Sequence, residues 1–217
     1  FYSSLGFDRG IMRSWGGLWQ LKMRYDEAHG RFGFTSDYLT SGYSLKKLVH
    51  PDSEGDAYNK IVPYPWPIIR LSELYLNYAE ALNEANGPSQ QVYDALNNVR
   101  DRAGIPTVEE AWSDVSVAAN PGKHTNIAGL REIIQQERMI ELAFEGHRYN
   151  DLRRWKIAEE FLSTSIRGWS VDESSEANFY NLRDIGIRSF SSPRDYLHPI
   201  SFDEISINPS LRQNPGW

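Results

Sequence analysis

The sequence has no cysteine, no long apolar run and no excess of basic charge, and each absence removes a class of protein. Because none of the 217 residues is Cys, the chain has no disulfide, thiolate metal site or cysteine nucleophile. No stretch approaches the roughly 20 consecutive apolar residues of a membrane-spanning helix. The net charge is −6 and the pI is near 5.4, which argues against binding to nucleic acid or anionic lipid.

The middle of the chain has the periodicity of amphipathic helices. We predict helices over about 71–86, 89–103, 127–145 and 147–162, with Gly87-Pro88 ending the first and Gly104-Ile105-Pro106 the second. Residues 107–126 look like a polar, irregular connection. The apolar stripe predicted for the first helix is Leu71, Leu74, Tyr75, Tyr78, Ala79 and Leu82.

These helices predict a mainly α fold built from two antiparallel helix pairs of the tetratricopeptide (TPR) type, with loop-rich flanks and a few short strands. Residues 1–69 are expected to be a loop-rich segment with short strands and possible ligand loops. Residues 70–162 hold the helix pairs, and residues 163–217 form a loop-rich tail that packs on the helices.

Three carboxylates lie four residues apart on the third predicted helix, on or beside its apolar stripe of Leu130, Ile133, Ile134, Ile140 and Phe144. A buried carboxylate is costly unless it is paired and hydrogen-bonded. Arginine supplies the planar bidentate geometry that such pairing favours. We therefore predict a structural network that includes at least one buried pair, formed by Glu137, Glu141 and Glu145 with Arg138, Arg148, Arg153 and Arg154, and with Asp151 nearby.

The run from Glu137 to Trp155 reads Glu-Arg-x-x-Glu-Leu-Ala-Phe-Glu-Gly-His-Arg-x-x-Asp-Leu-Arg-Arg-Trp. It resembles the signature of the SusD/RagB family of cell-surface glycan-binding lipoproteins. Residues 70–84, 97–104 and 196–217 are also similar to motifs of that family, in the same order, whereas residues 1–69 match only loosely.

This resemblance implies the C-terminal portion of a protein whose N-terminal half is missing from the chain. It implies a surface-exposed outer-membrane lipoprotein of a Bacteroidetes-type bacterium, with a lipid anchor outside these residues. Such a protein binds a glycan and delivers it to a SusC-like TonB-dependent transporter, without catalysis and without a cofactor.

Three candidate sites have simpler structural explanations. Paired carboxylates at Glu137, Glu141 and Glu145 would suit a glycoside hydrolase, but flanking arginines favour an ionised scaffold. His147 is interpreted as a hydrogen-bonded structural residue, because the five histidines lack the spacing of metal ligands. The acidic run 52–56 is interpreted as a solvated turn rather than a calcium site, so no metal is predicted.

The candidate glycan ligands are Trp15, Trp19, Tyr25 and Arg24, in a region rich in Gly. A flat ring stacks on the apolar face of a sugar at little entropic cost. The alternative is that these rings fill a small core beneath the loops. Trp66 and Trp155 are expected to pack inside.

A second hypothesis comes from a different class of function. Helix pairs of the TPR type can serve as a scaffold that binds another protein or peptide along a concave face. Without the family resemblance, the helical periodicity alone does not separate this hypothesis from glycan binding.

Overall fold

The computed structural model describes residues 2–14, 17–32, 38–53 and 60–217. In these ranges the regular structure is mainly helical, with eight α-helices and a few short strands. This arrangement confirms the predicted fold class. The helices are α1 (Leu71–Asn86), α2 (Gln90–Arg102), α3 (Val108–Ser113), α4 (Ile127–Glu141), α5 (His147–Arg154), α6 (Ala158–Leu162), α7 (Glu176–Phe179) and α8 (Phe202–Ile207).

The strands form three separate antiparallel pairs. They are β1 (Leu5–Phe7) with β4 (Tyr43–Leu45), β2 (Ile11–Ser14) with β3 (Gly17–Gln20), and β5 (Ser165–Trp169) with β6 (Leu182–Ile187). In the second pair, which we call the β2–β3 hairpin, Met12 lies opposite Trp19 and Arg13 opposite Leu18.

The chain divides into two compact units. We call residues 65–148 the helical unit, and residues 1–64 together with 149–217 the hairpin unit. The structure groups the C-terminal segment with the N-terminal segment in the hairpin unit. Trp169 N donates to Ser41 O over 3.1 Å, and Tyr25 N donates to Glu173 O over 3.1 Å.

In the helical unit, α1 packs against both α2 and α4. The core between them is apolar and almost fully buried, as expected for amphipathic helices that share one interior. Its members are Leu76, Ala79, Val92, Ala95, Leu96, Val99, Val108, Leu130, Ile133, Ile134 and Leu142.

The predicted stripe of α1 was wrong in part. The residues of α1 that are buried are Ser72, Leu76, Ala79 and Asn83. Leu71, Leu74 and Tyr78 are instead 62%, 51% and 51% exposed. This helix has apolar residues on two faces, so periodicity alone does not choose between them. Packing against α2 and α4 selects the face of Leu76 and admits polar Asn83, whose Nδ2 donates to Ile127 O over 3.1 Å.

The third predicted helix also ends earlier than expected, at Glu141 rather than 145. Phe144 has a positive φ of 67° and Gly146 one of 81°, so the chain turns there before α5 begins. Ile140 and Phe144 are 51% and 50% exposed and do not join the core. The fourth predicted helix is divided into α5 and α6, with Lys156 at φ 61° between them.

The connection predicted as irregular contains α3. Thr107 Oγ1 accepts from Glu110 N over 3.2 Å, and the Glu110 side chain accepts from Thr107 N over 3.0 Å. This reciprocal arrangement is a capping box, which satisfies backbone donors that the first helical turn leaves unpaired.

Among its described residues, the hairpin unit has two smaller cores. One consists of Leu21, Met23, Val171 and Phe179, with Met12, Tyr38 and Trp169 packed against it. The other consists of Leu152, Ala158 and Phe190. Within the described ranges, no helix combines the length and the apolar character needed to cross a membrane.

Candidate functional site

The carboxylates of Glu137, Glu141 and Glu145 form a row in the helical unit, with side chains only 13%, 14% and 12% exposed. Glu145 accepts two hydrogen bonds of 2.8 Å from Arg70, in the bidentate geometry that arginine favours. Glu141 lies 2.9 Å from Arg70 and 2.6 Å from Arg102, and Glu137 is paired with Arg100.

The three carboxylates are partly buried and paired with arginine, but the arginines shown on them are Arg70, Arg100 and Arg102 rather than the predicted ones. Arg70 precedes α1, whereas Arg100 and Arg102 lie at the end of α2. Helix packing brings these residues opposite α4. The spacing of residues along α4 alone does not predict which arginines of other helices will lie there. The network therefore joins three helices rather than two neighbouring ones.

The predicted arginines have other contacts in the structure. Arg138 is 4% exposed, donates to Asn77 Oδ1 over 2.6 Å and lies 3.7 Å from Glu80. Arg148 follows His147 at the start of α5. In the hairpin unit Arg153 donates to the carbonyl of Tyr196, and Arg154 Nε lies 2.8 Å from Asp151 Oδ1.

The electrostatics of the row follow from burial and from these arginines. Burial raises the pKa of Glu137, and the charge of Glu141 adds to that rise, while Arg100 opposes it. Hydrogen bonds from Arg70 to Glu145 raise the pKa of that guanidinium. Because each carboxylate is held by a guanidinium, the row is suited to locking helices together.

His147 lies near one carboxylate of the same unit, with its Nε2 3.8 Å from Glu73 Oε2. This separation is longer than a hydrogen bond, so the interpretation of His147 as a hydrogen-bonded structural residue stays a prediction. Across the part of the chain that the structure describes, no three His, Asp or Glu side chains are grouped as metal ligands.

The β2–β3 hairpin holds the part of the predicted ligand region that the structure describes. Trp19 is 46% exposed and lies opposite Met12, which packs on the first core of the hairpin unit. Its neighbour Leu18 is 76% exposed. Trp15 lies outside the described residues. Trp19 thus presents part of its ring to solvent while its strand is anchored beside a core.

Arg24 lies directly after this hairpin in a buried ionic cluster, which we call the Asp8–Arg24 cluster. Arg24 is 8% exposed, and it donates to Asp8 Oδ2 and to Glu176 Oε2, each over 2.9 Å. Asp8 also accepts from Met23 N over 2.9 Å and from the Tyr180 hydroxyl over 3.3 Å. These contacts occupy the guanidinium and tie the segment after β3 to the C-terminal segment.

The electrostatics of the cluster reflect the same contacts. The hydrogen bond to Glu176 and the contacts with Asp8 raise the pKa of Arg24, so the guanidinium remains charged. Burial raises the pKa of Tyr180, and the charge of Asp8 adds to the rise. The Tyr180 hydroxyl therefore remains a hydrogen-bond donor to Asp8.

The other aromatic residues singled out in the sequence differ in how exposed they are. Tyr25 is half-buried beside Arg24. Trp155 is half-buried, with the Arg154 guanidinium 4.7 Å from its ring centroid. Trp66 is 63% exposed, so its predicted packing inside was wrong, because the prolines on both sides hold an extended segment at the surface.

Sequence reasoning did not identify Asp8 as a central acceptor, nor Glu176 and Tyr180 as its neighbours. Glu176 lies 152 positions from Arg24, and Tyr180 lies 172 positions from Asp8. No local pattern links residues so far apart.

Comparison with known proteins identifies the class of this chain. Residues 12–217 match the model of the SusD family, so the chain belongs to that family. The SusD-like protein P2 of Formosa agariphila is 31% identical over 150 residues, which are 69% of this chain. The SusD-like protein P25 of the same organism is also 31% identical, over 68% of this chain.

Solved structures agree with this assignment. A SusD-like protein from Bacteroides fragilis superimposes with a TM-score of 0.77 at 28% identity, over 100% of this chain and 38% of that one. A SusD-like carbohydrate-binding protein from the same species gives a TM-score of 0.69 at 30% identity, over 96% and 40%. The chain spans 25% and 23% of the two Formosa relatives.

Proposed function

We propose that this chain is part of a glycan-binding protein of the SusD family and that the β2–β3 hairpin contributes to its ligand surface. Membership of the family over residues 12–217 supports the first part. A relative of the same fold is named as a carbohydrate-binding protein. The observation that carries the second part is Trp19, a ring 46% exposed beside Met12, which packs on the first core of the hairpin unit.

In this proposal Trp19 and Trp15 stack on the apolar face of a sugar ring, and Tyr25 adds a hydroxyl at the edge of the site. Arg24 acts through its neighbours, because its guanidinium is engaged by Asp8 and Glu176. The Asp8–Arg24 cluster fixes the segment that follows β3, so Trp19 is presented on a rigid base. A rigid base lowers the entropy lost when a ligand binds.

The family suggests how such binding is used. We propose that the whole protein is a lipoprotein on the outer surface of the outer membrane, anchored through a lipid outside these residues. It would deliver its glycan to a SusC-like TonB-dependent transporter and break no bond itself. The arginine-held carboxylates of the helical unit support a non-catalytic role, since a catalytic acid needs access to the substrate.

The test is made on the full-length protein with a matched pair of substitutions on β3. Trp19→Ala is expected to weaken binding to a responsive polysaccharide, found by titration calorimetry of a soluble panel, by about tenfold. Its melting temperature should remain close to that of the unsubstituted protein. Leu18→Ala removes a more exposed apolar side chain from the same strand and should leave the affinity unchanged. Unchanged affinity in Trp19→Ala would contradict the proposed site.

A further inference from the structure

A cleft in the hairpin unit is formed entirely by residues of the segment 149–217. Its volume is about 450 Å³, within the range of roughly 300–1,000 Å³ that is usual for small-ligand sites. Two aromatic side chains on it remain well exposed, Tyr149 at 44% and Trp217 at 48%. We call it the Trp217 cleft, and its lining includes Tyr149, Arg188, Asp195, His198 and Trp217.

The ring of Trp217 is held in place although nearly half of the residue is exposed. Its indole Nε1 donates to Arg194 O over 2.9 Å and to Leu197 O over 3.1 Å. The Arg194 guanidinium lies 5.3 Å from the ring centroid. A ring fixed in this way loses little freedom when a ligand binds to it. Trp217 is therefore suited to stacking on the apolar face of a sugar.

The Trp217 cleft also holds positive charge that is not balanced by a carboxylate. Arg188 donates to Thr164 through Nη2 over 2.9 Å and through Nε over 3.5 Å, and it has no carboxylate partner among the described residues. These bonds use one edge of the guanidinium, so the edge formed by Nη1 and Nη2 remains for a ligand. His198 Nε2 lies 3.5 Å from Arg153 Nη1, and Arg153 likewise has no carboxylate partner in the described ranges.

The one acidic side chain of the lining, Asp195, is already engaged. Arg194 Nε lies 2.7 Å from Asp195 Oδ1, and Ser191 N donates to Asp195 Oδ2 over 2.7 Å. The hydrogen bond from Arg194 holds the pKa of Asp195 below its ordinary value, so the carboxylate stays ionised and its charge is balanced by Arg194. The charge of Arg188 is left over, in a chain whose net charge is −6.

We propose that the Trp217 cleft binds a sugar unit that carries an anionic group, either a carboxylate or a sulfate. Trp217 and Tyr149 provide rings for the apolar face of the sugar, and the free edge of Arg188 accepts the anion in the bidentate geometry that guanidinium favours. A neutral sugar would gain the stacking alone. The proposal rests on the proposed function only in taking the ligand to be a glycan, since its residues differ from those of the β2–β3 hairpin.

The charge preference is tested by calorimetric titration of the full-length protein with three probes of equal length. These are a galacturonate trisaccharide, a sulfated galactose trisaccharide and a neutral galactose trisaccharide. At least one anionic probe should bind at least about tenfold more tightly than the neutral one, and its affinity should fall as salt is added. The preferred probe distinguishes a carboxylate from a sulfate. Equal affinity for all three, or no binding of either anionic probe, would overturn the proposal.

The position of the site is tested with a matched pair of arginine substitutions. Arg188→Gln should weaken binding of the preferred anionic probe by at least about tenfold, because it removes the charged hydrogen bonds. Arg167→Gln is the control, since Arg167 is an exposed arginine of the same unit that does not line the cleft. Melting temperatures should stay alike, and if Arg188→Gln folds poorly, His198→Gln repeats the measurement.

Two results with these variants would overturn the assignment of the site. One is unchanged affinity in Arg188→Gln, and the other is an equal loss in Arg188→Gln and Arg167→Gln, which would reflect the overall charge of the protein and not the cleft. Both variants leave Trp19 in place, so failure here is separate from failure of the test on β3.

Discussion

The helical unit and the hairpin unit both contain clusters of arginine and carboxylate, but the two clusters are built differently. In the helical unit Glu137, Glu141 and Glu145 repeat along one helix and keep 12–14% of their side chains exposed. In the hairpin unit a single carboxylate, Asp8, has a side chain that is 0% exposed and accepts from several segments.

The two clusters are expected to differ in how much stability the protein loses when one carboxylate is removed. Arg70 contacts both Glu141 and Glu145, so removal of one carboxylate leaves the guanidinium with a partner. Removal of Asp8 leaves Arg24 with Glu176, whose side chain is 73% exposed, and takes away the buried acceptor of Met23 N and of the Tyr180 hydroxyl. A buried donor left without its acceptor costs more than a solvated one. The row is therefore expected to be robust and the Asp8–Arg24 cluster sensitive.

The largest effect is expected from Asp8→Ala. This change leaves the buried Arg24 with only the exposed Glu176 and removes the acceptor of Met23 N and of the Tyr180 hydroxyl, so it should lower the free energy of unfolding by about 3–5 kcal/mol. Urea unfolding measures it. The matched control is Asp52→Ala, since Asp52 and its partner Arg13 are both more than half exposed, and this change should cost less than about 1 kcal/mol. Equal costs would remove the distinction between the buried cluster and a surface pair.

A smaller effect is expected from Glu145→Ala in the helical unit. The substitution removes a bidentate contact to Arg70, and Glu141 remains to hold that guanidinium, so the cost should be about 1–3 kcal/mol. Glu84→Ala is the control, because Glu84 and Arg131 are both over 40% exposed. A loss as large as that of Asp8→Ala would show that Glu141 does not compensate for the missing Glu145.

The smallest effect is a pH dependence from Glu137. Burial holds the pKa of this carboxyl above its ordinary value, so the folded chain binds a proton that the unfolded chain releases. The free energy of unfolding should therefore fall as pH rises through the interval between the unfolded and the folded pKa. Glu137→Gln should lose this contribution to the slope. The comparison is made by urea unfolding at a series of pH values, and identical slopes would contradict the assignment.

The helical unit was largely predictable from sequence because its signals are local. Apolar spacing and the Gly87-Pro88 stop predicted the observed bounds of α1, and the bounds predicted for α2 are close to the observed ones. The turn at Phe144 was not predictable, because a positive φ at a bulky residue is imposed by its surroundings. The helix α3 was missed although the Thr107 and Glu110 spacing is a sequence signal for a capping box.

The candidate site was predictable only in part. Trp19 was selected from its aromatic and glycine-rich surroundings, and the structure places it half-exposed on a hairpin. The burial of Arg24 depends on Glu176, which is distant in sequence, so its ion pairs could not be read from local spacing. Contacts between segments that are far apart in the sequence cannot be predicted from the local patterns of one chain.

The most direct test of the account is titration of the full-length protein and its Trp19→Phe and Trp19→Ala variants with the polysaccharide that binds. Phe keeps a flat ring for stacking, so we expect the Phe variant to retain most of the affinity while the Ala variant loses about tenfold. Melting temperatures should stay alike in all three proteins. If both variants bind as tightly as the unsubstituted protein, the β2–β3 hairpin is not the ligand surface.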